Sequence, residues 1–119
     1  MISQRPSYRV EKVADSVRRE LSRLLLFTVR DKKLRHVTIT QVRMTPDLKE
    51  ARAYYDWDGP AGERVDIANK LEHAAPFLRH ELAQTLSLKF VPRLFFHFDE
   101  TRSLHNRASE LLNEIDDDR

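Results

Sequence analysis

From Tyr8 to about Thr28, apolar residues recur at Val10, Val13, Ala14, Val17, Leu21, Leu24 and Leu25. This i, i+3, i+4, i+7 spacing predicts a helix with one buried face. Pro6 and Ser7 just upstream read as its start, with Ser7 as N-cap. From Val37 to Met44 the period changes to two, with Val37 and Ile39 followed by Val42 and Met44. Parity slips by one at Thr40 and Gln41, which predicts either a β-bulge or a strand twisting out of one face. Beyond Pro46 and Asp47, Ala51, Ala53, Tyr55 and Trp57 alternate with Arg52, Tyr54 and Asp56, so a second strand follows and pairs with the first as a hairpin. Asp58-Gly59-Pro60-Ala61-Gly62 then breaks the chain direction.

Ile67, Ala68, Leu71, Ala74 and Ala75 return to helical spacing, and Leu78, Leu82 and Leu86 resume it after Pro76. Proline lacks an amide hydrogen and clashes with the carbonyl four residues back, so the pattern predicts two helices meeting at a kink, with Pro76 in the first turn of the second. Leu94-Phe95-Phe96-His97-Phe98 forms a third strand after Pro92. Leu104, Ala108, Leu111, Leu112 and Ile115 place a short closing helix at 103–115, and 116–119 is an acidic tail. The order is α-β-β-α-kink-α-β-α in a single α+β domain spanning residues 1–119, with its core at about 5–100.

The chain of 119 residues has no cysteine, which excludes a disulfide scaffold, a thiolate metal site and a thiol nucleophile. No apolar run reaches the ~20 residues of a membrane span. The amino end lacks the apolar stretch of a secretory signal, so the expected location is cytoplasmic. Gly59 and Gly62 are the only glycines, too few and wrongly spaced for a glycine-rich phosphate loop. A formal net charge of +2 argues for nothing by itself, but its distribution does. Residues 1–35 hold ten bases against four acids, 36–98 hold eight of each, and 99–119 hold three bases against seven acids. At ~100° per residue, Arg9, Lys12, Arg19, Arg23 and Arg30 fall within about 80° on the side of the first helix opposite its apolar face.

An αββααβ order is that of the type-II KH-like (K-homology) fold, a three-stranded sheet with helices on one face. Within it, several segments stand in a specific succession: Arg9-Val10, Asp31-Lys32-Lys33-Leu34, Val37-Thr38-Ile39-Thr40, Pro46-Asp47-Leu48 with Ala51-Arg52-Ala53-Tyr54-Tyr55, Ala74-Ala75-Pro76-Phe77-Leu78-Arg79, and Val91-Pro92-Arg93-Leu94 leading to Asp99. Together they resemble the ribosome-binding factor A family from about Arg5 to Ile115. The resemblance implies a non-catalytic bacterial assembly factor that needs no cofactor and binds the free 30S ribosomal subunit. It further implies a role in late 16S rRNA processing, importance for cold adaptation and a functional link to ribosome-maturation GTPases. In that family a helix kink, here Ala74-Ala75-Pro76, replaces the glycine loop that usually grips a nucleic-acid backbone. This chain departs from the family by Pro76 where glycine is usual, by Lys32 where an Asp-Pro-Arg-Leu run is common, and by lacking a glycine between 101 and 107.

Ribosomal RNA is a polyanion, so the candidate contacts are bases aimed outward from a rigid element. Arg9, Lys12, Arg19 and Arg23 supply these from the first helix, Arg30, Lys32, Lys33 and Arg35 extend the patch into the following loop, and Lys70 and Arg79 flank the kink with His73 and His80. Tyr54 and Tyr55 point to opposite strand faces, so at most one could stack on a base. Tyr55, Trp57, Phe96 and Phe98 are assigned to the core. His97 and Asp99 share a strand face, but two ligands are too few for a metal site, so no metal is expected. The chain therefore reads as a monomeric RNA-binding factor. The alternative is a small protein-interaction module whose basic helix meets an acidic partner.

Overall fold

The computed structural model describes residues 8–101 of the chain, as helix α1 (Tyr8–Phe27), strands β1 (Val37–Met44) and β2 (Glu50–Trp57), helix α2 (Arg64–Leu86) and strand β3 (Arg93–Phe98). The expected Ser7 cap, closing helix and acidic tail lie outside the described residues. The sheet order is β1-β2-β3, with β2 antiparallel to β1 and parallel to β3. Both helices cover one face of the sheet.

α1 buries Val10, Ala14, Val17, Leu21, Leu24 and Leu25, the set its periodicity predicts except for half-buried Val13. The slip of parity in β1 is a bulge. Register shifts between Ile39 and Gln41, so Val42 and Met44 return to the face that carries Val37 and Ile39. Apolar rows then run straight across the sheet: Met44, Ala51 and Leu94; Val42, Ala53 and Phe96; Ile39, Tyr55 and Phe98. The Thr40 hydroxyl, left out of the ladder, donates to Asp99 Oδ2 at 2.5 Å, with the Tyr54 carbonyl at 3.2 Å. In the turn after β2, Trp57 Nε1 donates to the Pro60 carbonyl at 2.9 Å, and a Cβ on Gly59 would lie 2.2 Å from the indole ring, so only glycine fits there.

The expected pair of helices meeting at Pro76 is instead one helix, α2, with Pro76 in its interior. An interior proline costs about 3 kcal/mol. Against that, Ile67 and Leu71 before it and Leu78 and Leu82 after it are all fully buried, each contributing about 1.5–3 kcal/mol. Pro76 and Glu72, whose carbonyl loses its partner, both lie on the exposed face, where water can take the vacant acceptor. Packing thus outweighs the local rule. The helix ends at Ser87 in the left-handed region, φ 50°.

Candidate nucleic-acid interface

Arg9, Lys12, Arg19 and Arg23 are all exposed on the side of α1 away from the sheet. Asp15 pairs with Arg18 and Arg19 at 2.8 and 2.9 Å, and Arg18 and Arg19 together hold its carboxyl below the ordinary aspartate range. Arg23 Nε donates to both carboxylate oxygens of Glu20 at 3.0 and 3.1 Å. Because the Glu20 side chain is only 10% exposed while that of Arg23 is 52% exposed, the buried acid fixes an outward-facing guanidinium. This hydrogen bond, then the Glu20 charge, raises the Arg23 pKa. The Asp15 pairs are solvent-exposed and weak, so a phosphate can exchange for that carboxylate, whereas Glu20 keeps Arg23 in place.

Three apolar side chains on the same surface were not singled out from the sequence: Tyr8, Leu26 and Phe27, at 79, 48 and 72% exposure. The angular arithmetic that groups the bases also finds these, since at ~100° per residue Phe27 shares the direction of Arg9 while Tyr8 and Leu26 lie beside Arg19. Lys12 Nζ sits 5.9 Å from the Tyr8 ring centroid. Bases interleaved with exposed rings suit a nucleic-acid strand, whose phosphates and base faces need different partners.

The segment after α1 is a 3₁₀ turn at Lys32–His36 rather than an open loop. Asp31 caps it by accepting from the Lys33 amide at 3.0 Å, while buried Leu34 anchors it. The other Asp31 carboxylate oxygen accepts from Lys70 Nζ on α2. Lys70 first, and then the Lys33 amide, hold the Asp31 carboxyl below the ordinary range. Lys33 Nζ donates to Glu63 Oε1 at 2.5 Å, which raises its pKa, with Asp66 Oδ2 3.6 Å away. Among the described residues no carboxylate stands within ion-pair distance of Arg9, Lys12, Arg30, Lys32 or Arg35.

Between the turn and α2 lies an open cleft of about 750 Å³, with Leu34, Ala74 and Phe77 on its walls and Arg30, Lys70 and His73 among its polar residues. The cleft brings the end of the α1 patch against the Ala74-Ala75-Pro76 segment, two regions far apart in sequence. Arg79 is placed differently. Its guanidinium donates to the Pro92 and Val91 carbonyls at 3.0 and 3.3 Å, so it secures the segment leading into β3. His97 and Asp99 each have another partner, since the His97 ring lies tilted against Tyr54 and Asp99 accepts from Thr40. Among the described residues no group of three or more His, Asp or Glu side chains could hold a metal ion, and no helix is long and apolar enough to cross a membrane.

The strand order, the helices on one sheet face and the basic outer helix define a small α+β domain of the type-II KH-like class. The family described as Ribosome-binding factor A matches residues 9–112, and the chain belongs to that family. The Ribosome-binding factor A of Geobacter sulfurreducens is 38% identical over 108 residues, covering 91% of this chain and 92% of the relative. The crystal structure of the Thermus thermophilus factor shares the fold with a TM-score of 0.67 at 21% identity, covering 76% of this chain and 96% of that one. Coordinates of the Thermus thermophilus factor fitted into a cryo-EM map of its complex with the 30S subunit match with a TM-score of 0.61 at 21% identity, covering 73% and 91%.

Proposed function

We propose that this protein is a non-catalytic RNA-binding assembly factor that docks on the free 30S subunit and promotes late processing and maturation of 16S rRNA. The observation that carries the reading is the outer surface of α1, where Arg9, Lys12, Arg19 and Arg23 alternate with exposed Tyr8 and Phe27. The surface continues through Arg30, Lys32, Lys33 and Arg35 to the cleft beside Ala74. Family membership supports the 30S subunit as the partner, as does the relative fitted into a 30S complex. The family resemblance extends the proposal to importance for growth in the cold, a functional link to ribosome-maturation GTPases, and a cytoplasmic monomer. Lys70 and Arg79 belong to this surface as positioning residues, one bracing the cleft and the other the lead into β3.

Lys12→Glu combined with Arg19→Glu tests the reading. It spares Arg23, whose loss would leave nearly buried Glu20 without its partner. The expected outcome is a cooperative thermal melt lowered by no more than a few degrees, as Asp15 loses its Arg19 partner, with loss of co-sedimentation with 30S subunits. Retained co-sedimentation overturns the proposal, and 30S association that is lost on reversal of these charges yet insensitive to ribonuclease in the unaltered protein favours an acidic protein partner instead.

A further inference from the structure

The sheet face not covered by α1 and α2 carries a second set of bases and rings. In neighbouring register, Arg43 opposes Arg52, which opposes Phe95, and Tyr54 opposes His97. Arg93 stands at the start of β3 on the same face. The Tyr54 and His97 rings lie 5.5 Å apart at 33°, the Arg43 guanidinium sits 5.9 Å from the Tyr54 centroid, and Phe95 is 38% exposed.

This arrangement is unfavourable for the isolated protein in two ways. Like charges directly opposite in adjacent strands repel. Among the described residues, no carboxylate within ion-pair distance relieves Arg43, Arg52 or Arg93, although this face also carries Glu50, the register partner of Arg93, and Asp56. Exposed Phe95 leaves apolar surface in water beside them. A strand of unpaired RNA answers both, because its phosphates neutralise the arginines while its bases stack on an already aligned ring row. A duplex would satisfy only the charges, since its base faces are already stacked.

We propose that this sheet face, uncovered among the described residues, is a second RNA surface, specific for unpaired nucleotides. It lies across the sheet from α1, so failure of the α1 reading leaves it standing. The two surfaces together let one domain hold two RNA segments on opposite sides.

The test uses Arg43→Gln with Arg52→Gln, and separately Phe95→Ser with His97→Ser, in the full chain. Fluorescence anisotropy compares an oligouridylate of about twelve nucleotides with an RNA duplex of similar length. Each pair of substitutions is expected to weaken oligouridylate binding about tenfold and duplex binding less than about twofold. The thermal melt of the glutamine variant should be unchanged or raised, because a repulsive pair has been removed. Lys12→Glu with Arg19→Glu serves as the contrast: it changes charge without removing a ring and should weaken binding of both probes to a similar extent. Unchanged oligouridylate affinity in both sheet variants overturns the proposal. So does an equal loss on both probes, which would mean charge alone is read. Ribonuclease-insensitive 30S association that the sheet variants abolish would assign the face to a protein and overturn it as well.

Discussion

Asp31 joins three parts of the molecule with one carboxylate: it caps the 3₁₀ turn, lines the cleft and pairs with Lys70 on α2. Its depressed pKa means that the folded state favours the ionised form. That contribution is complete above the unfolded value of about 4 and is lost as pH falls through the lower folded value. Asp31→Asn keeps an acceptor for the Lys33 amide and removes the charge. At neutral pH the variant should be less stable by roughly 0.5–1 kcal/mol, a few degrees in Tm. Melts across an acid series should show the two proteins converging below about pH 4. Asp15 and Asp47, also held low by their partners, titrate alike in both proteins, so the difference isolates Asp31. A gap that persists unchanged into acid would show that the carboxylate charge is not what matters. The residue was legible in the sequence only as the start of Asp31-Lys32-Lys33-Leu34, because its partner stands 39 positions away and no local pattern announces such a pair.

At the level of elements, the sequence was informative wherever burial followed a simple period. α1 and the hairpin are recovered nearly residue for residue, and even the slip at Thr40 reads correctly once a bulge is allowed. Two elements escaped for a common reason. The break expected at Pro76 rested on a local rule worth about 3 kcal/mol, and four fully buried side chains outweigh it. The 3₁₀ turn at Lys32–His36 has no periodic signature, being set by the Asp31 cap and one buried leucine. If packing alone carries α2 through position 76, Pro76→Ala should stabilise the protein, since it restores an amide donor for the Glu72 carbonyl and relieves the ring clash. Added entropy of the unfolded chain offsets about 1 kcal/mol of that gain, leaving roughly 1–2 kcal/mol and a rise of several degrees in Tm. A lower Tm in thermal denaturation would show that the helix has adapted its backbone to proline at this position.

Across the whole molecule, a net charge of +2 conceals a basic helix surface on one side of the domain and an arginine row on the other. Binding of such a protein to RNA should fall linearly on a logarithmic plot against salt, with each neutralised phosphate adding about 0.7 to 0.9 to the slope. Salt titration therefore separates bases that meet phosphate from bases that hold the fold. Lys12 is exposed and without a carboxylate at ion-pair distance among the described residues. Lys12→Gln should reduce the slope by nearly one unit and leave the melt in place. Arg79 already spends its guanidinium on the Pro92 and Val91 carbonyls. Arg79→Gln should do the opposite, lowering stability by about 1–3 kcal/mol through unsatisfied carbonyls while the slope stays near that of the parent. Both residues are basic and both lie within the span, about Arg5 to Ile115, that resembles the family, so sequence gives them equal standing. A reduced slope for Arg79→Gln with an unchanged melt would reverse the assignment, making Arg79 a phosphate contact and the two carbonyl bonds dispensable.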